Sequence, residues 1–191
     1  MSGHPYSWVR VHQRMLSRYP ARVEVDVRLF QAINHLPHTP ETDRWLTDLS
    51  DLGKGAGWVG AGLALGVFGG RRGWRAALAA SAALLASTTL TEGPLKTYFR
   101  MRRPFATQLA IEVGRRPVDS SFPSGHTAAS FAAATALSSA YPGWRRPLFL
   151  AAGAVGVSRV YLGHHFPSDV AIGAGLGVGL GLVCVRLLGP R

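Results

Sequence analysis

Beyond residue 54 the chain alternates long apolar runs with short polar breaks. The runs cover about 55–70, 74–94, 125–141, 147–163 and 169–188. A helix that crosses a bilayer needs roughly 20 apolar residues, with a range near 17–25, so most of these runs have the length of a span. The first is short, and extending it back through Leu52 would lengthen it, with Lys54 reaching toward the interface. Residues 1–54 read differently. Arg10, Arg14, Arg18 and Arg22 stud a stretch without a long apolar core. Residues 1–22 are therefore expected to form a basic tail and not a secretory leader. Val23, Val25 and Val27 alternate, and then Leu29, Phe30, Ile33 and Leu36 take helical spacing. Asp26, Arg28 and Asn34 rule out a lipid-spanning role there. After breaks at Pro37 and Pro40, the residues Trp45, Leu46, Leu49 and Leu52 form an apolar stripe at helical spacing.

The pattern predicts an all-α fold: an integral membrane helical bundle of about five spanning helices in one domain, carried by residues 55–191. Two amphipathic helices over 23–54 precede it, lying in the interface or packed against the bundle. Gly173, Gly177 and Gly181 share one face of the last run. Such small-residue faces let helices approach closely, and no strand precedes them as a phosphate loop would require.

Composition adds three points. A hydrophobic share of 47% is ordinary, but it averages a polar lead-in with apolar runs. The formal charge of +11 could signal nucleic-acid binding, yet the basic residues sit between membrane-length runs instead of on one soluble face, so no nucleic-acid partner is expected. The one cysteine, Cys184, can form no internal disulfide and offers no zinc spacing. With five spans, the breaks at 71–75 and 142–146 share a side with the C-terminus. That side holds Arg71, Arg72, Arg75, Arg145, Arg146, Arg186 and Arg191 and no acid. Tight clusters of this kind favour the cytoplasm, although the basic tail argues the other way. The balance leans to a site facing out of the cytoplasm. The Ala-, Gly- and Arg-rich composition points to a high-GC bacterium and its plasma membrane.

Candidate chemistry collects in three stretches. Residues 158–169 bring Arg159, His165 and Asp169 to the end of an apolar run. If a helix starts after Pro167, Ser168 or Asp169 is placed to cap it. The carboxylate could then bond one imidazole nitrogen of His165 and leave the other as base or nucleophile. Arg159 offers a fork of donors suited to phosphate oxygens. Two stretches precede it in the chain: Lys96 with Arg103-Pro104 comes first, and Pro123-Ser124-Gly125-His126 second. Ser124 and Gly125 sit where a turn enters a helix, so they suit a plain cap, an anion cradle, or both. Each stretch alone fits an ordinary helix connection.

Together, taken in chain order, the three resemble the tripartite signature of the type 2 phosphatidic acid phosphatase superfamily, the lipid phosphate phosphatases. That signature runs Lys-x6-Arg-Pro, then Pro-Ser-Gly-His, then Ser-Arg-x5-His-x3-Asp, and every named position matches between Lys96 and Asp169. The resemblance implies that His165 attacks phosphorus and forms a phosphohistidine, with Asp169 orienting it. It implies that His126 protonates the leaving alkoxide and then activates water. Lys96, Arg103, Ser124, Gly125 and Arg159 would hold the phosphoryl group, and no metal or other cofactor would be needed. His164 is a neighbouring candidate nucleophile, but only His165 has the matching spacing to Arg159 and Asp169. The histidines of the lead-in, His35 and His38 among them, receive no role. Three histidines with Asp169 could suggest a metal cluster, but the surrounding cations disfavour a bound dication.

The implied partners are the bilayer and a lipid phosphate: a prenyl diphosphate, phosphatidylglycerophosphate, phosphatidic acid or a decaprenyl-phosphoribose phosphate. The last would link the chain to cell-wall biogenesis. The 105–122 loop, with Glu112, Arg115, Arg116 and Asp119, could read a headgroup or be an ordinary solvated loop. Three other classes fit less well: a lipid phosphotransferase, a non-enzymatic anion-binding membrane protein and a haloperoxidase.

Overall fold

The computed structural model describes residues 20–107 and 110–189, which hold helices and no strand. The basic tail with Arg10, Arg14 and Arg18, and the terminal Arg191, lie outside the described residues. The helices are α1 (Pro20–Asn34), α2 (Pro40–Gly53), α3 (Ala56–Leu90), α4 (Lys96–Phe99), α5 (Gly125–Ala140), α6 (Arg145–Tyr161) and α7 (Pro167–Leu188).

The lead-in forms two helices, as its later spacing predicts. α1 starts at Pro20, so the alternating valines are helical too; three alternating positions with no partner strand cannot hold a ladder. Phe30 and Asn34, one turn apart, are fully buried, while Val25 and Leu29 face outward. At the start of α2 the Thr39 hydroxyl accepts the Thr42 N–H at 3.1 Å, and Pro40 takes the first helical position. Ser50 and Gly53 face the bundle, whereas Trp45 and Leu52 of the apolar stripe point away from it.

α2 stops at Gly53 and α3 begins at Ala56. The first apolar run therefore does not extend back through Leu52 as one helix. α3 is itself folded in two at Gly70 (φ 57°, ψ −145°), a conformation that favours glycine. A Cβ at Gly62 would touch Ala77, and one at Gly66 would strike the Trp74 ring. The first two runs are thus the antiparallel arms of a hairpin. Among the described residues one helix, Pro167–Leu188, is long and apolar enough to cross a membrane. α5 and α6 have 16 and 17 residues, so at 1.5 Å per residue each reaches about 24–26 Å.

α5 is the hub. Ala128, Ala129, Ala132, Ala133, Ala136 and Leu137 are all buried, and small side chains let its neighbours close in. α7 meets it along the predicted glycine face: a Cβ on Gly173, Gly177 or Gly181 would clash with Ser124, Ala128 or Thr135. Ser130 Oγ donates to the Gly53 carbonyl at 2.8 Å and accepts from the Trp58 indole at 3.0 Å, tying α2 and α3 to α5. At one end Arg72 lies 5.4 Å from the Tyr141 ring, which puts the Gly70 turn beside the α5–α6 turn. The three candidate stretches gather at the other end.

The glycine face gives a direct test. Gly177→Ala should cost about 1–3 kcal/mol through overpacking. Gly179→Ala, which meets nothing within 4 Å, should be neutral or stabilising. Unfolding in detergent measures both, and equal losses would contradict the α5–α7 contact.

Candidate active site

The first stretch is shaped by a widened turn. Residues Thr91–Leu95 form a π-helical turn that contains Pro94, a residue unable to donate to a regular helix. It leads into the short α4, which ends at Arg100 in the left-handed region (φ 42°). Lys96 thereby turns inward and is only 7% exposed. Its ammonium bonds Glu92 Oε1 at 2.7 Å and Asp119 Oδ2 at 2.5 Å. Arg103 is 4% exposed and bonds Asp119 Oδ1 at 2.6 Å. Its other donors reach the carbonyls of Asp119, Ser120 and His164 and the Nε2 of His165.

The third stretch is set by a tight reversal after α6. Gly163 takes φ 77°, and a Cβ there would lie 2.6 Å from the Ile111 carbonyl. The N–H groups of His164 and His165 both donate to the Arg159 carbonyl, at 3.1 and 3.2 Å, which directs the two imidazoles inward. Both rings are buried. Arginine can only donate, so Nε2 of a neutral His165, 3.1 Å from Arg103, carries the lone pair. Its proton is then on Nδ1, which faces Asp169 Oδ2 at 3.8 Å. That distance is too long for the hydrogen bond expected from the sequence. Asp169 Oδ2 instead accepts from Ser121 Oγ at 2.6 Å and from the Phe166 N–H at 3.0 Å. Asp169 thus closes the start of α7 from its third position, while Ser168 donates to Asp26 of α1.

The second stretch enters α5. Ser124 is buried, its N–H donates to the Asp169 carbonyl at 3.1 Å, and its hydroxyl pairs with Thr127 Oγ1 at 2.8 Å. Gly125 lets the Glu92 carboxylate approach closely, since a Cβ there would lie 2.2 Å from its Oε1 and would push that side chain aside. His126 is half-buried at the second position of α5, within electrostatic range of Arg159, Lys96 and His164. Arg159 bonds Ser50 Oγ at 2.8 Å, and its buried Nε finds no partner among the described residues.

Burial pushes the Asp119 carboxyl up, but the Lys96 hydrogen bond and the charges of Arg103 and Lys96 outweigh it. The carboxyl is held well below the usual carboxylate range. Burial, reinforced by Arg103 and Arg159, holds His165 well below the ordinary histidine value. Burial, Arg159 and Arg103 lower His164 to about 3. Both imidazoles are neutral at pH 7.

A family model described as the PAP2 superfamily matches residues 76–191. The chain belongs to the PAP2 superfamily. It is 36% identical over 97 residues to decaprenylphosphoryl-5-phosphoribose phosphatase of Mycobacterium tuberculosis, an alignment covering 51% of this chain. The chain spans about half the length, 53%, of the curated relatives it matches. The crystal structure of Aquifex aeolicus LpxE superposes with a TM-score of 0.69 at 34% identity, covering 83% of this chain and 93% of that one. A transmembrane PAP2-type phosphatidylglycerolphosphate phosphatase from Bacillus subtilis gives 0.65 at 22% identity, covering 96% and 93%, a likeness of fold.

All eight residues proposed from the PAP2 signature lie at this one end of the bundle. Three further partners carry no sequence signal of their own, Glu92, Ser121 and Ser50, the last 109 residues from the arginine it bonds, and a fourth, Asp119, is marked in the sequence only as one charge of the 105–122 loop. Asp119 points into the cation pair, whereas Glu112 and Arg116 of the same loop pair with each other at 2.8 Å. The lead-in histidine His38 bonds Asp43 and the Asn34 carbonyl and stacks on Tyr161 at 4.3 Å, a structural role.

Burying neutral histidines makes stability depend on pH. Below about 6.5 the unfolded chain binds protons that the folded rings refuse, so stability falls as pH drops from 7 toward 5. Each ring contributes a slope of up to about 1.4 kcal/mol per pH unit. Asp119, held low, adds to the loss only below about pH 4, as the unfolded carboxylate protonates. His164→Gln should flatten the slope between pH 5 and 6.5, as unfolding in detergent at stepped pH would measure. An unchanged slope would contradict a buried neutral His164.

Proposed function

We propose that this PAP2 chain is a membrane lipid phosphatase that hydrolyses a phosphoric monoester or diphosphate of a prenyl or glycerolipid through a phosphohistidine. The observation that carries the reading is a buried neutral imidazole, His165, set among Lys96, Arg103 and Arg159. A phosphate dianion repels nucleophiles, and catalysis of its transfer is mostly charge stabilisation and positioning. Cations in a partly desolvated site act more strongly than in water.

In this reading Nε2 of His165 attacks phosphorus, and the bond from phosphorus to the lipid oxygen breaks. His126 gives its proton to the leaving oxygen. It then takes one from a water whose oxygen attacks phosphorus, and the P–N bond breaks to release inorganic phosphate and free His165. Asp169 faces the Nδ1 side and stabilises positive charge on the ring. The unpartnered Nε of Arg159 supports a role as a donor to a phosphoryl oxygen, since a buried N–H without a partner costs about 1–3 kcal/mol. Ser124 and Gly125 stand at the α5 N-terminus, where backbone N–H groups favour an anion.

The relative named decaprenylphosphoryl-5-phosphoribose phosphatase makes a prenyl-phosphoryl sugar phosphate the leading substrate class. That class would place the chain in cell-wall biogenesis. The arginines near the other end, Arg71, Arg72, Arg145, Arg146 and Arg186, support a cytoplasmic placement of that end and an outward-facing site. A reporter fused at the C-terminus should read cytoplasmic, and a translocated reporter would reverse this topology.

Phosphate release from detergent-solubilised lipids tests the chemistry. The panel is prenyl diphosphates, phosphatidylglycerophosphate, phosphatidic acid and decaprenyl-phosphoribose phosphate. His165→Ala should lose activity by about 10³-fold or more, and His164→Ala should keep it within about tenfold. Vanadate should inhibit and chelators should not. Loss on chelation, restored by one divalent metal, would overturn the mechanism.

A further inference from the structure

The carboxylate of Asp119 uses the donors that a phosphoryl group would need. Its Oδ1 takes an Arg103 N–H at 2.6 Å and its Oδ2 takes the Lys96 ammonium at 2.5 Å. Arg103 has five N–H groups. One reaches each of the Asp119 carbonyl, the His164 carbonyl, His165 Nε2, the Ser120 carbonyl and Asp119 Oδ1. The guanidinium is saturated, so it can bind an incoming anion only by giving up a partner. Three of those partners are backbone carbonyls and one is a buried ring, fixed by the fold. The Asp119 carboxylate is the exchangeable partner: its side chain is 37% exposed and stands on the loop ahead of Phe122. With Lys96 and Arg103 it lines an open cavity of about 360 Å³, so an anion can reach the bridge from solvent.

We propose that Asp119 is an anion competitor built into the site, displaced by the substrate phosphate, so that only an anion able to outcompete it occupies the two cations. The inference rests on the phosphatase reading above. The charge balance decides which anions make the exchange favourable. Replacing one carboxylate by a phosphomonoester dianion adds a negative charge beside two buried cations, Lys96 and Arg103. Replacing it by a phosphodiester adds none, so the diester gains nothing for the bonds it breaks. Bilayer phospholipids are phosphodiesters with the same headgroup oxygens and are in vast excess over a phosphomonoester lipid. A site of bare cations would fill with them, whereas a site already holding a carboxylate admits only an anion that outcompetes it. Asp119 sets the affinity threshold of the anion site in this scheme and takes no part in bond making.

The test measures anion affinity on the full chain in detergent, by protection against thermal unfolding and, where turnover is seen, by competitive inhibition. The probes are inorganic phosphate and dimethyl phosphate. In Asp119→Asn and Asp119→Ala, inorganic phosphate and dimethyl phosphate should each bind about tenfold tighter, because both are relieved of the same competitor. Asp119→Glu, which keeps the charge, should stay close to the natural protein. Whichever carboxylate-free variant folds supplies the comparison. Phosphate binding that is unchanged or weaker without the carboxylate would overturn the proposal and make Asp119 a fixed strut for the two cations. The phosphatase reading fails separately, through absence of phosphate release by the natural protein from every lipid on the panel.

Discussion

Three cationic side chains, Lys96, Arg103 and Arg159, are each less than a tenth exposed within a single end of a helical bundle. Burying a charge is costly unless it is paired and hydrogen-bonded. That constraint organises the surrounding chain. Glu92 and Asp119 are drawn in as counter-charges, four loop and turn acceptors satisfy Arg103, and Ser50 crosses from the lead-in to Arg159. The histidines then sit in a field that disfavours their protonation, which leaves an imidazole lone pair available at neutral pH.

Holding such a site requires a rigid frame, and this chain builds one from small residues. α5 is rich in alanine, α7 meets it through glycines, and the Gly70 turn folds α3 back on itself. Close helix approach brings backbone carbonyls and hydroxyls within reach of each other, as in the chain from Trp58 to Ser130 to Gly53. The bundle exposes large apolar side chains such as Phe68, Leu150 and Leu187, in keeping with lipid as its surroundings.

The apolar periodicity and the three motif stretches carried most of the architecture and the whole predicted set of site residues. Spacing in a motif is local, and each motif lies on a turn or helix end whose geometry the neighbouring residues dictate. Partners supplied from far along the chain were not legible. Nothing in the sequence around Ser50 or Ser121 marks either as a neighbour of Arg159 or Asp169, because tertiary packing decides it. Asp119 looked like one loop charge among four, and only the fold separates it from Glu112. Run length also misled at the first span: Lys54 and Gly55 end one helix and begin another, where hydropathy alone allows a continuous one.

The lead-in is stitched to the motif-bearing end by buried bonds. Asn34 donates to the carbonyls of Tyr161 and Ile111, both at 2.7 Å, and accepts the Ile111 N–H, while Asp26 receives Ser168. The stretch that carries the family signature is therefore no detachable cartridge. Transplanted without residues 20–54, it would arrive with a loose rim and an arginine missing its hydroxyl. The portable unit of this architecture is larger than its motifs, and a minimal version has to be cut around contacts instead of around sequence landmarks.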